Sequence, residues 1–278
     1  MNTRLTRLAG TLGVALSLTL AAVAGDAPKP TRSAPKAGEE APANLIPPGA
    51  KNLLPNGDFE AGTLTPDGWQ TVDGLSSFWI QDDDPAHAKV LRFDTDILQS
   101  QGYDWWVKVA QGASPKDAPK KQATVEPKYD TLAGLDGVWF WSDPVPVEKG
   151  KAYWLTLDVK GPPLLVWLVG YPEKPDTAFG VDEAAFQEVL KARRTGKEPD
   201  TSRKREVFVH KYVWKGQLAA GGADRWKTYA RRAKPFRPTA ATPSVKYVRV
   251  LIYPFWPPAA YAVDNVRLVA LDEPPPAP

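Results

Sequence analysis

From Lys51 to the end of the chain, short β-favouring runs alternate with Gly, Pro, Asp and Asn, and this rhythm restricts the fold more than any other feature. Runs of this length with turn residues between them belong to sandwiches and barrels. Strands are expected over residues 78–81, 90–95, 138–142, 152–160, 164–171, 206–214, 226–232, 245–253 and 261–270. Within 152–160, Leu155, Leu157 and Val159 fall on one side and Thr156, Asp158 and Lys160 on the other. That period of two makes one face core and the other wet.

One segment breaks the rhythm. Asp182 and Glu183 open a run in which Phe186, Val189 and Leu190 recur at helical spacing, and Lys191, Arg193 and Arg194 close it. Acids first and bases last suit the helix dipole, so one short amphipathic helix is expected over 182–194. With the polar, basic stretch that follows, it reads as an insertion of about residues 181–205 between two strands. Arg193, Arg194, Lys197, Arg203, Lys204 and Arg205 either steer an acidic polysaccharide or form a solvated loop.

At the front, Arg4 and Arg7 precede an uncharged apolar stretch from Leu8 to Ala24, which ends Ala22-Val23-Ala24 before Gly25. This is a signal-peptide layout over residues 1–24, with cleavage expected after Ala24. A retained anchor competes with it, but the run is shorter than the roughly 20 residues of a spanning helix. Residues 25–50 are rich in Pro, Ala, Lys and Glu and hold too few large apolar groups to offset chain entropy, so a disordered tether is expected. A β-sandwich domain over 51–272 and a Pro-rich tail over 273–278 complete the organisation. The processed product is expected to lack a transmembrane anchor and to be secreted or periplasmic. Without cysteine the chain has no disulfide framework, thiolate metal site or cysteine nucleophile. The formal charge is 35 basic against 32 acidic side chains; removing Arg4 and Arg7 leaves 33 against 32, and nothing calls for nucleic acid.

The opening of the domain reads Asn52-Leu53-Leu54-Pro55-Asn56-Gly57-Asp58-Phe59-Glu60-Ala61-Gly62, with Gly68-Trp69 after Pro66, and its close reads Ala262-Val263-Asp264-Asn265-Val266-Arg267-Leu268. These two segments resemble the first and last strands of carbohydrate-binding modules with the galactose-binding-like jelly-roll fold. The resemblance implies an all-β jelly-roll sandwich in which the last strand returns beside the first. It further implies a structural calcium at that junction, held by Asp58 or Glu60 with Asp264. The same residues read otherwise as a turn at Asn56-Gly57, solvated acids and an Asp accepting a hydrogen bond at a strand start. The run Asp82-Asp83-Asp84 either attracts a cation or is an exposed turn.

Sugar rings stack their C–H faces on flat aromatic side chains, and the chain has 11 Trp. Tyr103, Trp105 and Trp106 form one cluster. Neighbours on an extended strand point to opposite faces, so exposure of Trp105 or Trp106 is expected. Trp256, set among prolines, is the other candidate, while Trp139 and Trp141 read either as core or as platform. His87 and His210 stand alone in the sequence, and no motif singles out a catalytic carboxylate pair. The function expected is non-catalytic glycan binding. The alternatives are an envelope or matrix protein that contacts another protein, and a glycosidase or polysaccharide lyase.

Overall fold

The computed structural model describes residues 33–135, 137–175, 212–231 and 234–271. The expected leader, the helix over 182–194, the basic stretch, His210, most of the strand over 206–214 and the tail lie outside the described residues.

Among the described residues ten strands form in chain order: β1 (Ser77–Gln81), β2 (Lys89–Asp94), β3 (Phe140–Trp141), β4 (Val145–Pro146), β5 (Ala152–Gly161), β6 (Leu164–Tyr171), β7 (Trp214–Ala220), β8 (Ala223–Ala230), β9 (Tyr247–Tyr253) and β10 (Ala260–Leu271). Among the described residues three α-helices accompany them: α1 (Gln99–Ala110), α2 (Leu132–Leu135) and α3 (Pro238–Ala241). The first sheet runs β1-β2-β10-β5-β8; the second runs β3-β9-β6-β7, with β4 also paired to β9. Every strand pairing is antiparallel. From β4 onward the chain passes back and forth between the sheets, which is jelly-roll wiring and confirms the all-β sandwich expected from the sequence.

The alternation along β5 holds: Leu155, Leu157 and Val159 are fully buried and pack against Val166, Leu168, Val250 and Ile252 of the other sheet. At the crossing from β7 to β8, Gly221 and Gly222 have φ of 89° and 102°. A Cβ on Gly221 would lie 2.4 Å from the Pro162 carbonyl oxygen, so glycine lets two sheet-crossing corners pack against each other. No helix of the described residues is long and apolar enough to cross a membrane.

The opening and closing segments meet as the resemblance implies. Leu53 N–H donates to Leu268 O at 2.8 Å, Val266 N–H donates to Gly57 O at 2.7 Å, and Asn52 Nδ2 donates to Val266 O at 2.9 Å. Gly57 allows the approach, since a Cβ there would sit 2.0 Å from Val266 O.

Two expectations are corrected. Trp105 and Trp106, read as neighbours on an extended strand, lie instead in the helix Gln99–Ala110: the β-favouring Tyr-Asp-Trp-Trp-Val-Lys-Val composition is overridden because Gln101, Trp105 and Val109, spaced by four, bury one helical face. The tether expected over 25–50 is docked from Gly38 on. Gly38 N–H donates to Gly221 O, Ala41 N–H to Thr228 O and Ala230 N–H to Glu39 O, so the chain extends the free edge of β8. The chain then crosses to β10, where Arg267 Nη2 reaches Ala50 O at 3.1 Å. Side-chain composition forbids a core there, but backbone hydrogen bonds to an open sheet edge do not depend on it.

Candidate functional site

The expected sugar-stacking residues do not come together on a surface. Tyr103 and Trp105 are each 5% exposed, and Trp106 is half-buried. Trp105 Nε1 donates to Asp73 O at 2.6 Å and Trp106 Nε1 to Asp73 Oδ2 at 2.7 Å. The same carboxylate accepts from the backbone N–H groups of Leu75, Ser76 and Ser77. These tryptophans therefore anchor α1 to the turn before β1. Trp256 differs: it is half-buried in the loop after β9, with its ring stacked on Tyr129 at 5.8 Å and 11°. Thr95 and Tyr261 brace that loop, with Tyr261 Oη donating to Pro257 O at 2.6 Å.

The implied calcium ligands do not converge either. Asp58 and Glu60 are exposed, and Glu60 Oε1 accepts from Lys89 N–H at 2.9 Å. Asp264 is 2% exposed, and its two oxygens meet His87 Nδ1 at 2.8 Å and the Asn265 N–H at 2.7 Å. The Gly57 carbonyl already accepts from Val266. Calcium wants roughly six to eight oxygen ligands. Among the described residues no three His, Cys, Asp or Glu side chains group in a way that could hold a metal ion. In the Asp82-Asp83-Asp84 turn, Asp82 lies 3.3 Å from Lys160 Nζ and 3.4 Å from Trp226 Nε1. Burial raises the Asp82 carboxyl, but the Asp84 N–H, Trp226 and Lys160 more than offset it, and its pKa ends below the ordinary value.

Two other constellations are assembled by the sheets. The first lies on the outer face of the β8-β5-β10 sheet. Asp158 and Asp264 are register partners across β5 and β10, and His87 stands 2.8 Å from Asp264 and 3.9 Å from Asp158. Thr228 Oγ1 and Asn265 Nδ2 donate to the two Asp158 oxygens at 2.5 and 2.9 Å. Asn265, at φ 49°, sits in the β10 bulge that turns its amide toward β5. His87 stacks on Trp226 at 4.2 Å. Burial pushes the Asp264 carboxyl up, to about 6, and the Asp158 charge adds to the rise, while the hydrogen bonds from His87 and Asn265 oppose it.

The second is an aromatic tract on the outer face of the β3-β9-β6-β7 sheet. Trp139, Trp167 and Tyr253 are half-buried and meet edge to face: Trp139 is 5.5 Å and Trp167 is 6.1 Å from Tyr253, which itself stacks on Phe255 at 5.0 Å. Lys215 Nζ lies 4.3 Å from the Trp167 ring. Trp141 backs the tract from a small cluster with Val169, Tyr171 and Leu251, separate from the core between the sheets. Beneath it, Arg249 is 4% exposed, donates from Nε to Ser142 O at 2.7 Å and lies 5.0 Å from the Trp141 ring. Burial pulls the Arg249 guanidinium down and pushes the Tyr171 hydroxyl up to about 12.

Sequence reasoning weighed Trp139 and Trp141 but missed Trp167 and Tyr253 as their partners. The signal was their phase in β6 and β9, opposite to the core positions Val166, Leu168, Val250 and Ile252. His87, Asp158 and Asp264 left no comparable signal, because strand pairing brings the two carboxylates together and the connection between β1 and β2 delivers His87.

No protein-family model matches the sequence, and no curated protein matches it. Solved structures resemble it at low identity. The enzymatically active domain of Bacteriophage CBA120 tailspike protein 4 is 9% identical at a TM-score of 0.39, over 79% of this chain and 21% of that one. The arabinose-bound α-L-arabinofuranosidase MgGH51 is 12% identical at 0.40, over 79% and 26%. The module TmCBM61, solved in complex with β-1,4-galactotriose, is 10% identical at 0.35, over 79% and 98%. The chain thus spans about a fifth and a quarter of the first two proteins and nearly the whole of the third. Such likeness concerns fold alone, and the sandwich is established by its own strand pairing. On that pairing the chain is a jelly-roll β-sandwich.

Proposed function

We propose that this is an exported, non-catalytic carbohydrate-binding protein that docks glycan on the aromatic tract of the β3-β9-β6-β7 sheet, with Trp256 beyond it. One observation carries the reading: Trp139, Trp167 and Tyr253 stand half-buried on an outer sheet face that the core does not need. Rings held by a sheet give sugar C–H faces a platform at little entropic cost. Lys215, beside Trp167, supplies a hydrogen-bond donor for ring hydroxyls.

The test is a glycan array probed with the protein, with calcium and then with chelator, followed by titration of Trp167→Ala, Tyr253→Ala and Trp256→Ala. Binding weakened about tenfold or more by Trp167→Ala, with the fold intact, supports the proposal. The structural calcium implied by the sequence resemblance is carried by the chelator arm: binding that is indifferent to chelator removes it. A blank array from folded protein that captures a stoichiometric envelope protein through the same residues replaces the glycan reading with the protein-contact one. Release of reducing ends from polysaccharide overturns the non-catalytic part.

A further inference from the structure

The segment that crosses from β8 to β10 roofs a pocket on the opposite face of the sandwich from the aromatic tract. Its volume is about 490 Å³, within the range of small-ligand sites. The floor is two rows of register partners. One row is Thr156 on β5 opposite Arg267 on β10; the other is Thr228 on β8, Asp158 on β5 and the bulged Asn265 of β10. Leu45 and Ile46 of the crossing segment line it from above.

The floor offers more hydrogen bonding than the protein uses. Thr156 is 5% exposed and lines the pocket, yet its hydroxyl has no partner among the described residues. Arg267 commits one Nη2 donor to Ala50 O out of the five N–H groups of a guanidinium. Asn265 gives an amide N–H to Asp158, and its side-chain carbonyl oxygen remains as an acceptor. These groups face the pocket, so a ligand that displaces water from them must offer hydroxyls that replace its hydrogen bonds. Donors and acceptors alternate across strands, and the roof is aliphatic.

We propose that this pocket binds a single neutral sugar ring, at a site separate from the aromatic tract and independent of the glycan reading given to it. Ring hydroxyls, each both donor and acceptor, match the mixed floor of Thr156, Asp158, Asn265 and Arg267, and the C–H face lies under Leu45 and Ile46. Asp158 and Glu40 line the pocket with Arg267, so its formal charge is negative and an anion is disfavoured. Asp158 is already satisfied by Thr228 and Asn265, and Glu40 is engaged by Lys227 Nζ at 2.8 Å, so a bound ammonium would face Arg267 with both carboxylates already committed.

Backbone amide NMR of the protein, titrated with glucose, galactose, mannose and arabinose and with glucuronate as the anionic control, tests the proposal. The expected result is saturable shifts confined to residues 40–46, 156–158 and 265–267, for at least one neutral sugar. Thr156→Val, which removes only the unpartnered hydroxyl, should weaken that binding by roughly 3- to 10-fold without loss of fold, and Arg267→Ala by at least as much. Trp167→Ala should leave these shifts in place, so failure of the aromatic site and failure of this one are told apart. The proposal is overturned if no neutral sugar gives saturable shifts there, if binding survives both pocket variants unchanged, or if glucuronate binds more tightly than every neutral sugar.

Discussion

Trp105→Ala separates an anchoring tryptophan from a ligand-stacking one. The side chain is 5% exposed within the main core cluster and donates to Asp73 O at 2.6 Å. Truncating a buried Trp costs about 3–5 kcal/mol through lost burial and the cavity left behind. The lost hydrogen bond adds about 1 kcal/mol, partly relieved where water reaches the Asp73 carbonyl. A total near 4 kcal/mol is a large share of the roughly 5–15 kcal/mol that keeps a domain folded. With a urea slope of about 2–3 kcal/mol per molar for a domain of this size, the midpoint should fall by about 1.3–2 M. Urea unfolding followed by far-UV circular dichroism measures it, with Trp256→Ala as the contrast. Trp256 is half-buried and its stack on Tyr129 is worth about 0.5–1.5 kcal/mol, so its midpoint should move by less than about 0.8 M. The reasoning fails if Trp105→Ala shifts the midpoint by less than about 0.5 M while abolishing glycan binding, because the indole would then be a surface ligand.

Three further outcomes are expected. His87→Ala leaves the buried Asp264 beside Asp158 without its imidazole partner and should cost about 3 kcal/mol, with His87→Ala/Asp264→Asn recovering part of the loss; a double variant no better than the single one contradicts the charge argument. Burial raises the Asp96 carboxyl, but Thr124, Lys128 and Lys121 more than offset it, so its folded pKa lies below the ordinary carboxylate value. Its stabilisation is therefore complete above the unfolded value and lost as pH falls through the folded one. Urea midpoints should decline on acidification below about pH 4, and Asp96→Asn should flatten that decline; an equal slope in the variant counts against it. Gly57→Ala places a Cβ 2.0 Å from Val266 O and should destabilise by about 2–3 kcal/mol, read by thermal or urea unfolding; wild-type stability would show that the opening segment does not press against β10.

The strands were legible wherever one face is core. The expected strands 152–160 and 164–171 are recovered in β5 and β6 almost residue for residue, with burial alternating over part of each: Thr156 is buried between Leu155 and Leu157, and residues 168–171 are all buried. The region around Trp105 misled because bulky aromatic and β-branched residues favour strands locally, whereas the face that packs against Leu132 and its neighbours is helical. The tether misled for a different reason: composition reports whether a segment can form a core of its own, and Gly38 to Ala41 uses a sheet edge built by distant residues.

The sequence by itself determined which residues face inward along β5, and that the chain folds as an all-β sandwich. Those follow from local periodicity and turn chemistry, which act over a few residues. Only the tertiary structure decided which outward-facing residues become neighbours. The pairing of Asp158 with Asp264, the seat of His87 between them, the contact of Trp139 and Trp167 with Tyr253, and the pocket over Thr156 and Arg267 all join positions far apart in the chain. Register sets those meetings, and register comes from long-range backbone hydrogen bonds together with the glycine-dependent approach at Gly57 and the bulge at Asn265.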